Sequence, residues 1–265
     1  RGAVSKIMSL TEEELNKGVV AASTGNFALA IGEAAKIRGC DLTIYVAENI
    51  AASRLQIMKD HGYHVELYGQ DGWAPEKRAR EVAEQEGKIY ISPYNDPVVV
   101  GGQGTCGLEI SRQLPDVQAA FFAVGGGGLC SGCGGWLKSF NPDIEIIGVS
   151  PEKSPVMYES VKANKMLEME TFPTLADTCA GGVDLDSITL ELLQKYADEL
   201  TLLTEDQIAN AIRILFEHHR LVVEGSGALS VGGFLKMKDS FIGKKVVLTI
   251  CGRNIDLDLF KQIIA

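Results

Sequence analysis

The sequence predicts an α/β protein built on parallel sheets. Two observations carry that expectation. Short apolar, β-rich runs alternate with helical patterns along almost all of the 265 residues, and those runs are apolar on both faces, as buried parallel strands require. A third observation concerns ligands: glycine-rich or polar segments follow the carboxyl ends of several runs, where open parallel sheets bind small molecules.

Taken in order, residues 19–23 (VVAAS) form a strand, and the helix NFALAIGEAAKIR follows and stops at Gly39. DLTIYVA (41–47) is the next strand, followed by the helix SRLQIMKDH, which stops at Gly62. HVELYG, a loop, the charged helix PEKRAREVAEQEG and the strand IYIS complete this block. Residues 92–102 (SPYNDPVVVGG) read as a loop, with two prolines and paired glycines between periodic blocks. The helix TCGLEISRQL, the strand QAAFFAV, four glycines, a helix around GGWLKSF and the strand IEIIGVS come next. Helices near 155–163 and 189–198, the strand ELTLLT, the helix EDQIANAIRILFEHHR, the helix GALSVGGFLKM and the strand KKVVLTI finish the chain. The predicted organisation is a smaller unit, residues 19–97, inserted in a larger one made of residues 1–18 and 98–265.

Composition excludes several classes. Lys and Arg number 25 against 35 Asp and Glu, a net charge of −10 without a basic patch, so nucleic acid is not an expected partner. No apolar run approaches the roughly 20 residues that span a bilayer, and RGAVSKIMSLTEEEL lacks the apolar core of a signal peptide. No membrane role and a cytoplasmic location are the expectation. The six cysteines then read as reduced thiols. Cys130 and Cys133 form a C-x-x-C, but a zinc site needs a second ligand pair at matching spacing, so tight packing in a glycine-rich turn is the better reading. His61 with His64, and His218 with His219, read as solvated or core histidines.

Five segments carry candidate chemistry. After QAAFFAV, the run Gly125, Gly126, Gly127 and Gly128 puts bare N–H groups at a helix start, where the orphan donors and the dipole favour an anion. A turn needs one or two glycines, so phosphate is the natural ligand. Ser23-Thr24-Gly25-Asn26 opens the helix after VVAA; it suits a small carboxylate and equally suits an N-cap cluster. Cys251-Gly252-Arg253-Asn254 ends the strand KKVVLTI, and Glu224 closes an apolar stretch where its charge needs a partner. Gly102-Gln103-Gly104-Thr105-Cys106-Gly107 satisfies G-x-G-x-x-G, a dinucleotide pattern, but only VVV precedes it and no acidic residue stands at the ribose position.

Together, STGN, GGQGT, GGGGLCSG, VVEGSGA and CGRNID, in this order, resemble the pyridoxal-phosphate enzymes of fold type II, the tryptophan synthase β-subunit fold. Within them the likeness is to the threonine and serine dehydratase and serine racemase group, over nearly the whole chain. The resemblance implies that Gly125, Gly126, Gly127, Gly128 and Leu129 cradle the phosphate of pyridoxal 5'-phosphate through their N–H groups. It implies that Asn26 bonds the ring hydroxyl, that Cys251 faces the pyridine nitrogen, and that Glu224 lies close to the ring. Ser23, Thr24 and Gly25 would bind the substrate carboxylate. A neutral thiol makes the ring a weaker electron sink than an aspartate does, which favours β-elimination. The implied function is an ammonia-lyase that converts a small β-hydroxy amino acid such as threonine or serine to a 2-oxo acid and ammonia, working as a homodimer.

The Schiff-base lysine of this group sits in a segment like S-F-K-x-R-G-A, whereas this chain starts at Arg1-Gly2-Ala3. The expectation is therefore a fragment whose catalytic lysine lies just upstream of Arg1 and which is inactive by itself; Lys6 and Lys17 do not take the role. The alternatives are a non-catalytic ligand-binding protein that keeps the fold, or a racemase in the full-length form, since Thr24 stands where racemases keep a serine. A nicotinamide-dependent dehydrogenase, resting on the Gly102 pattern, is a weaker rival. Ser150 and Val156 occupy positions where racemases carry acidic metal ligands, so no divalent metal is expected. The chain ends soon after CGRNID, so a regulatory domain with isoleucine feedback is not expected.

Overall fold

The computed structural model describes residues 1–70 and 73–265. The end of the loop predicted after HVELYG, at residues 71 and 72, lies outside them. The chain divides into two compact units, Arg1–Gly102 and Gln103–Ala265.

The first unit begins with α1 (Gly2–Ser9) and α2 (Glu12–Asn16), followed by β1 (Val19–Ala22), α3 (Asn26–Arg38), β2 (Leu42–Val46), α4 (Ala52–Asp60), β3 (His64–Leu67), α5 (Trp73–Glu86) and β4 (Ile89–Ile91). Its four strands are all parallel in the order β3-β2-β1-β4. All four residues of β1 are buried, which is why VVAA carries no polar residue. The sequence reading assigned residues 1–18 to the larger unit. Instead, Ala3 and Ile7 of α1 join Ala28, Ile31 and Ala35 of α3 in one core, so the N-terminal helices belong to the first unit.

The largest departure from the sequence expectation is α6, which runs from Pro97 to Gln113 and takes in VVVGG, the end of the segment 92–102 expected as a loop. The signal lay in Asp96-Pro97. The Asp96 Oδ1 accepts from the N–H of Val98 at 2.8 Å and of Val99 at 3.1 Å, while proline at the first helical position gives up an N–H that has no partner in any case. Lys6 Nζ lies 2.8 Å from the second oxygen of the buried Asp96. Replacing Asp96 with alanine is expected to cost about 2 kcal/mol in urea unfolding, and Asp96→Asn, which keeps the cap and drops the ion pair, less than half of that.

In the second unit, β5 (Ala119–Ala123), α7 (Gly128–Phe140), β6 (Glu145–Pro151), α8 (Val156–Ala163), α9 (Thr189–Tyr196), β7 (Glu199–Leu203), α10 (Glu205–His219), α11 (Gly225–Met237), β8 (Val246–Leu248) and α12 (Leu257–Ile264) follow α6. The strands are parallel in the order β7-β6-β5-β8. Every residue of β5 is buried, and Phe121 at its centre meets Phe234 and Phe241 edge-on, with ring centroids 5.9 and 5.1 Å away. A capping box starts α10: Thr204 and Gln207 exchange side-chain bonds with each other's N–H, after which Ile208, Ala211, Ile212 and Leu215 face the core. The final helix, α12, buries Phe260 and Ile263 in the same core and was not identified from the sequence.

Candidate functional site

In the second unit, β5 and β8 are parallel neighbours, so the segments leaving their carboxyl ends emerge on the same side of the sheet. One is the glycine run and the other contains Cys251. The glycines lead directly into α7, whose N-cap Gly127 has φ +86° and whose start carries no side-chain cap. Ser131 N–H reaches the Gly127 carbonyl at 2.9 Å, which leaves the N–H groups of Gly128, Leu129 and Cys130 in the first turn without an intrahelical acceptor. Side chains are excluded at two of the loop's glycines. A Cβ at Gly125 would stand 2.8 Å from the Cys179 Cα, and one at Gly127 would stand 2.9 Å from the Leu193 Cδ1.

Glu224 is 2 % exposed, and its charge has the partners that burial demands. Thr178 Oγ1 donates to its Oε1 at 3.2 Å and the Asn254 N–H donates to its Oε2 at 2.7 Å, while the Glu224 N–H donates to the Gly252 carbonyl at 3.2 Å. The carboxylate therefore fastens the CGRN segment to the start of α11. Within that segment Cys251 is exposed as a residue, while its Sγ turns inward, 3.9 Å from the Ser226 carbonyl. Desolvation by the enclosing protein, and then the charge of Glu224, push its thiol up to about 12, so it is neutral at pH 7. Cys179, beside the glycine loop, is likewise pushed up to about 12, chiefly by burial. Two buried hydroxyls in these segments, Ser131 in α7 and Thr249 after β8, have no hydrogen-bond partner among the described residues. An uncapped helix start, a loop closed to a Cβ at Gly125 and Gly127, a neutral thiol and a held carboxylate fit a phosphorylated aromatic cofactor.

In the first unit, Ser23, Thr24 and Gly25 connect β1 to α3. The N-cap alternative for this cluster is not realised, because no side chain caps α3. Instead the Ser23 Oγ accepts the Gly25 N–H at 3.2 Å and shapes the turn, and the Ser23 N–H is held by the Tyr45 carbonyl at 3.2 Å. Thr24 and Asn26 are half-buried at this strand end.

The dinucleotide pattern is corrected outright. Gly102, Gly104 and Gly107 all lie inside α6, with no strand-to-helix loop to carry a pyrophosphate. They serve packing: a Cβ at Gly104 would come 3.0 Å from the Gly132 carbonyl oxygen, and one at Gly107 would come 2.8 Å from that of Cys133, so α6 and α7 cross in near backbone contact. Cys130 and Cys133 are buried in α7; desolvation pushes the Cys130 thiol up to about 12, and the Cys133 Sγ donates to the Gln103 carbonyl at 3.2 Å. His61 Nδ1 pairs with Glu33 at 2.9 Å and His64 Nε2 with Glu66 at 3.1 Å, both at the surface. His218 and His219 close α10. Among the described residues no three His, Cys, Asp or Glu side chains gather as a metal site. Nor is any helix among them long and apolar enough to cross a membrane.

Thr178, Cys179 and Thr189 escaped the sequence reading, since their partners lie far away along the chain and they belong to no glycine motif.

The profile of the pyridoxal-phosphate dependent enzyme family matches residues 1–252. The chain belongs to that family. It is 41 % identical over 264 residues to the L-threonine ammonia-lyase of Thermotoga maritima, covering all of this chain and 65 % of that protein. It is 37 % identical over 268 residues to the catabolic L-threonine dehydratase TdcB of Escherichia coli K12, covering 99 % of this chain and 80 % of the relative. The chain thus spans just under two thirds of the first relative's length. Among solved structures, the processed form of threonine deaminase isoform 2 from Solanum lycopersicum superimposes with a TM-score of 0.91 at 32 % identity, covering 99 % of this chain and 77 % of that one. The serine racemase of Dictyostelium discoideum gives 0.86 at 33 % identity, covering 97 % and 83 %. The two four-stranded parallel sheets are those of a fold type II pyridoxal-phosphate enzyme.

Proposed function

We propose that this chain acts in a pyridoxal-phosphate-dependent ammonia-lyase that converts a small β-hydroxy amino acid, threonine or serine, to a 2-oxo acid and ammonia. The 41 % identity with an L-threonine ammonia-lyase over 264 residues carries the reading. The uncapped, side-chain-free start of α7 supports it physically.

In this reading Gly125, Gly126, Gly127, Gly128 and Leu129 line the phosphate cradle, with the free N–H groups as donors. Asn26 would hold the ring hydroxyl, the neutral Cys251 thiol would face the ring nitrogen without charging it, and Glu224 would keep the segment next to the ring in place. Ser23, Thr24 and Gly25 orient the substrate carboxylate. The bound cofactor supplies an electron sink for the substrate carbon that loses its proton. A carboxylate at the ring nitrogen would hold a proton there; the thiol does not, and this favours loss of the β-hydroxyl over chemistry that needs a long-lived carbanion. The working form in this reading is a cytoplasmic homodimer acting on free amino acids.

The test is protein from the complete reading frame, loaded with pyridoxal phosphate and given L-threonine, L-serine or 3-hydroxyaspartate. Formation of 2-oxo acid with an equal amount of ammonia is the expected result; neither product from any of the three rejects the reading. Thr24, standing where racemases keep a serine, motivates a second reading, and chiral chromatography of the residual amino acid checks it.

A further inference from the structure

The glycine loop is held from behind by a hydroxyl pair that belongs to none of the family motifs. Thr189, the first residue of α9, is fully buried, and its Oγ1 donates to the Gly126 carbonyl at 2.7 Å. Ser187, also buried, places its Oγ 2.6 Å from that same Oγ1. A carbonyl can only accept, so the Thr189 proton goes to Gly126 and the Ser187 proton goes to the Thr189 oxygen. The chain of donors has a single direction, and each bond polarises the next.

That direction matters because of peptide geometry. Among the described residues no peptide bond is cis, and in a trans peptide the C=O and N–H of one unit point in opposite directions. Drawing the Gly126 carbonyl towards α9 therefore turns the N–H of Gly127 away from α9. Gly127 is the N-cap of α7, where the anion-binding donors converge. The fit is close: a Cβ on Gly127 would stand 3.2 Å from the Thr189 Cβ and 3.4 Å from its Oγ1. Without the hydroxyl, the Gly126–Gly127 peptide, flanked by glycines on both sides, is free to rotate.

We infer that Thr189, backed by Ser187, is a positioning residue that locks the Gly126–Gly127 peptide so that the Gly127 N–H is aimed at the cofactor phosphate. This rests on the cofactor reading above and adds a residue to it. Thr189 touches neither cofactor nor substrate and acts only through the loop.

The experiment compares binding of pyridoxal 5'-phosphate and of pyridoxal, which lacks the phosphate, to protein from the complete reading frame, by fluorescence titration, with the ³¹P resonance of the bound phosphate as a second readout. Thr189→Val, which keeps the shape and removes the hydroxyl, is expected to weaken binding of the phosphorylated form about tenfold, the worth of one buried hydrogen bond. Pyridoxal binding stays within about twofold and the ³¹P resonance moves. Thr189→Ser, which restores the donor, returns both to parental values. Thr189→Val that binds the phosphorylated form like the parent with an unmoved resonance overturns the inference, as does equal weakening for both ligands, which marks a general packing role. Should Thr189→Val not fold, Ser187→Ala decides: a loss of about threefold confined to the phosphorylated form supports the inference, and no loss overturns it. A parent protein that binds neither ligand fails the cofactor reading itself and is thereby told apart.

Discussion

Gly127→Val is expected to weaken pyridoxal phosphate binding about a hundredfold. Two costs combine. The residue sits at φ +86°, where a β-branched side chain is strained by roughly 1–2 kcal/mol, and its Cβ would approach the Leu193 Cδ1 to 2.9 Å. Overpacking at such a site adds about 1–3 kcal/mol, and a total near 3 kcal/mol corresponds to about two orders of magnitude. The strained loop relieves itself by backing off α9, which breaks the Thr189 bond to the Gly126 carbonyl and scatters the N–H groups at the start of α7. Titration of the variant and its parent measures this directly, and affinity within a few-fold of the parent contradicts it. Gly127→Ala, without the β-branch, falls between the two.

Phe121→Ala is expected to lower the stability of the protein by about 4 kcal/mol. The ring is fully buried at the centre of β5, aligned with Ile147 on one side and Leu248 on the other, and contacts Phe234 and Phe241 edge-on. Truncation removes both aromatic contacts and leaves a cavity in a strand where every neighbour is also buried. Because β5 delivers the chain to the glycine loop, the same variant loosens the cradle, and added pyridoxal phosphate recovers less stability than it gives the parent. Urea unfolding with and without the cofactor reads both effects. A loss under about 1 kcal/mol would show that the core is not organised around this ring.

The α/β alternation was legible because the central strands β1, β2, β5 and β6 are buried on both faces and several helices between the strands are bounded by glycine or a cap. VVAA, LTIYV and AAFFA carry almost no polar residue, and Gly39 ends α3 with φ +68°. Reading failed where one local signal served another purpose. VVVGGQG has the β-branched residues of a strand and the glycines of a turn, yet it lies in α6 because Asp96-Pro97 starts a helix and the glycines let α7 approach. The N-terminal helices were assigned to the wrong unit because burial of Ala3 and Ile7 against α3 is a tertiary event without a mark in residues 1–18 themselves.

The candidate site divides in the same way. Glycines and the residues after strands were visible because phosphate and carboxylate recognition needs bare backbone at helix starts, a local requirement written in consecutive residues. The supports of the site were not. Thr178 reaches Glu224 across 46 positions and Thr189 reaches Gly126 across 63, and a threonine in either segment looks like any other. The partner that the buried charge of Glu224 demanded could be foreseen in kind, though not as Thr178 and the Asn254 N–H.

In the proposed function, peptide N–H groups at the start of α7 grip the phosphate of the cofactor. A crystal structure of the complete protein grown with pyridoxal 5'-phosphate tests it most directly. Phosphate oxygens are expected within hydrogen-bonding distance of the N–H groups of Gly127, Gly128 and Leu129, with the Gly126 carbonyl still turned to Thr189. A phosphate bound by side chains elsewhere, with the α7 start filled by solvent, would contradict it.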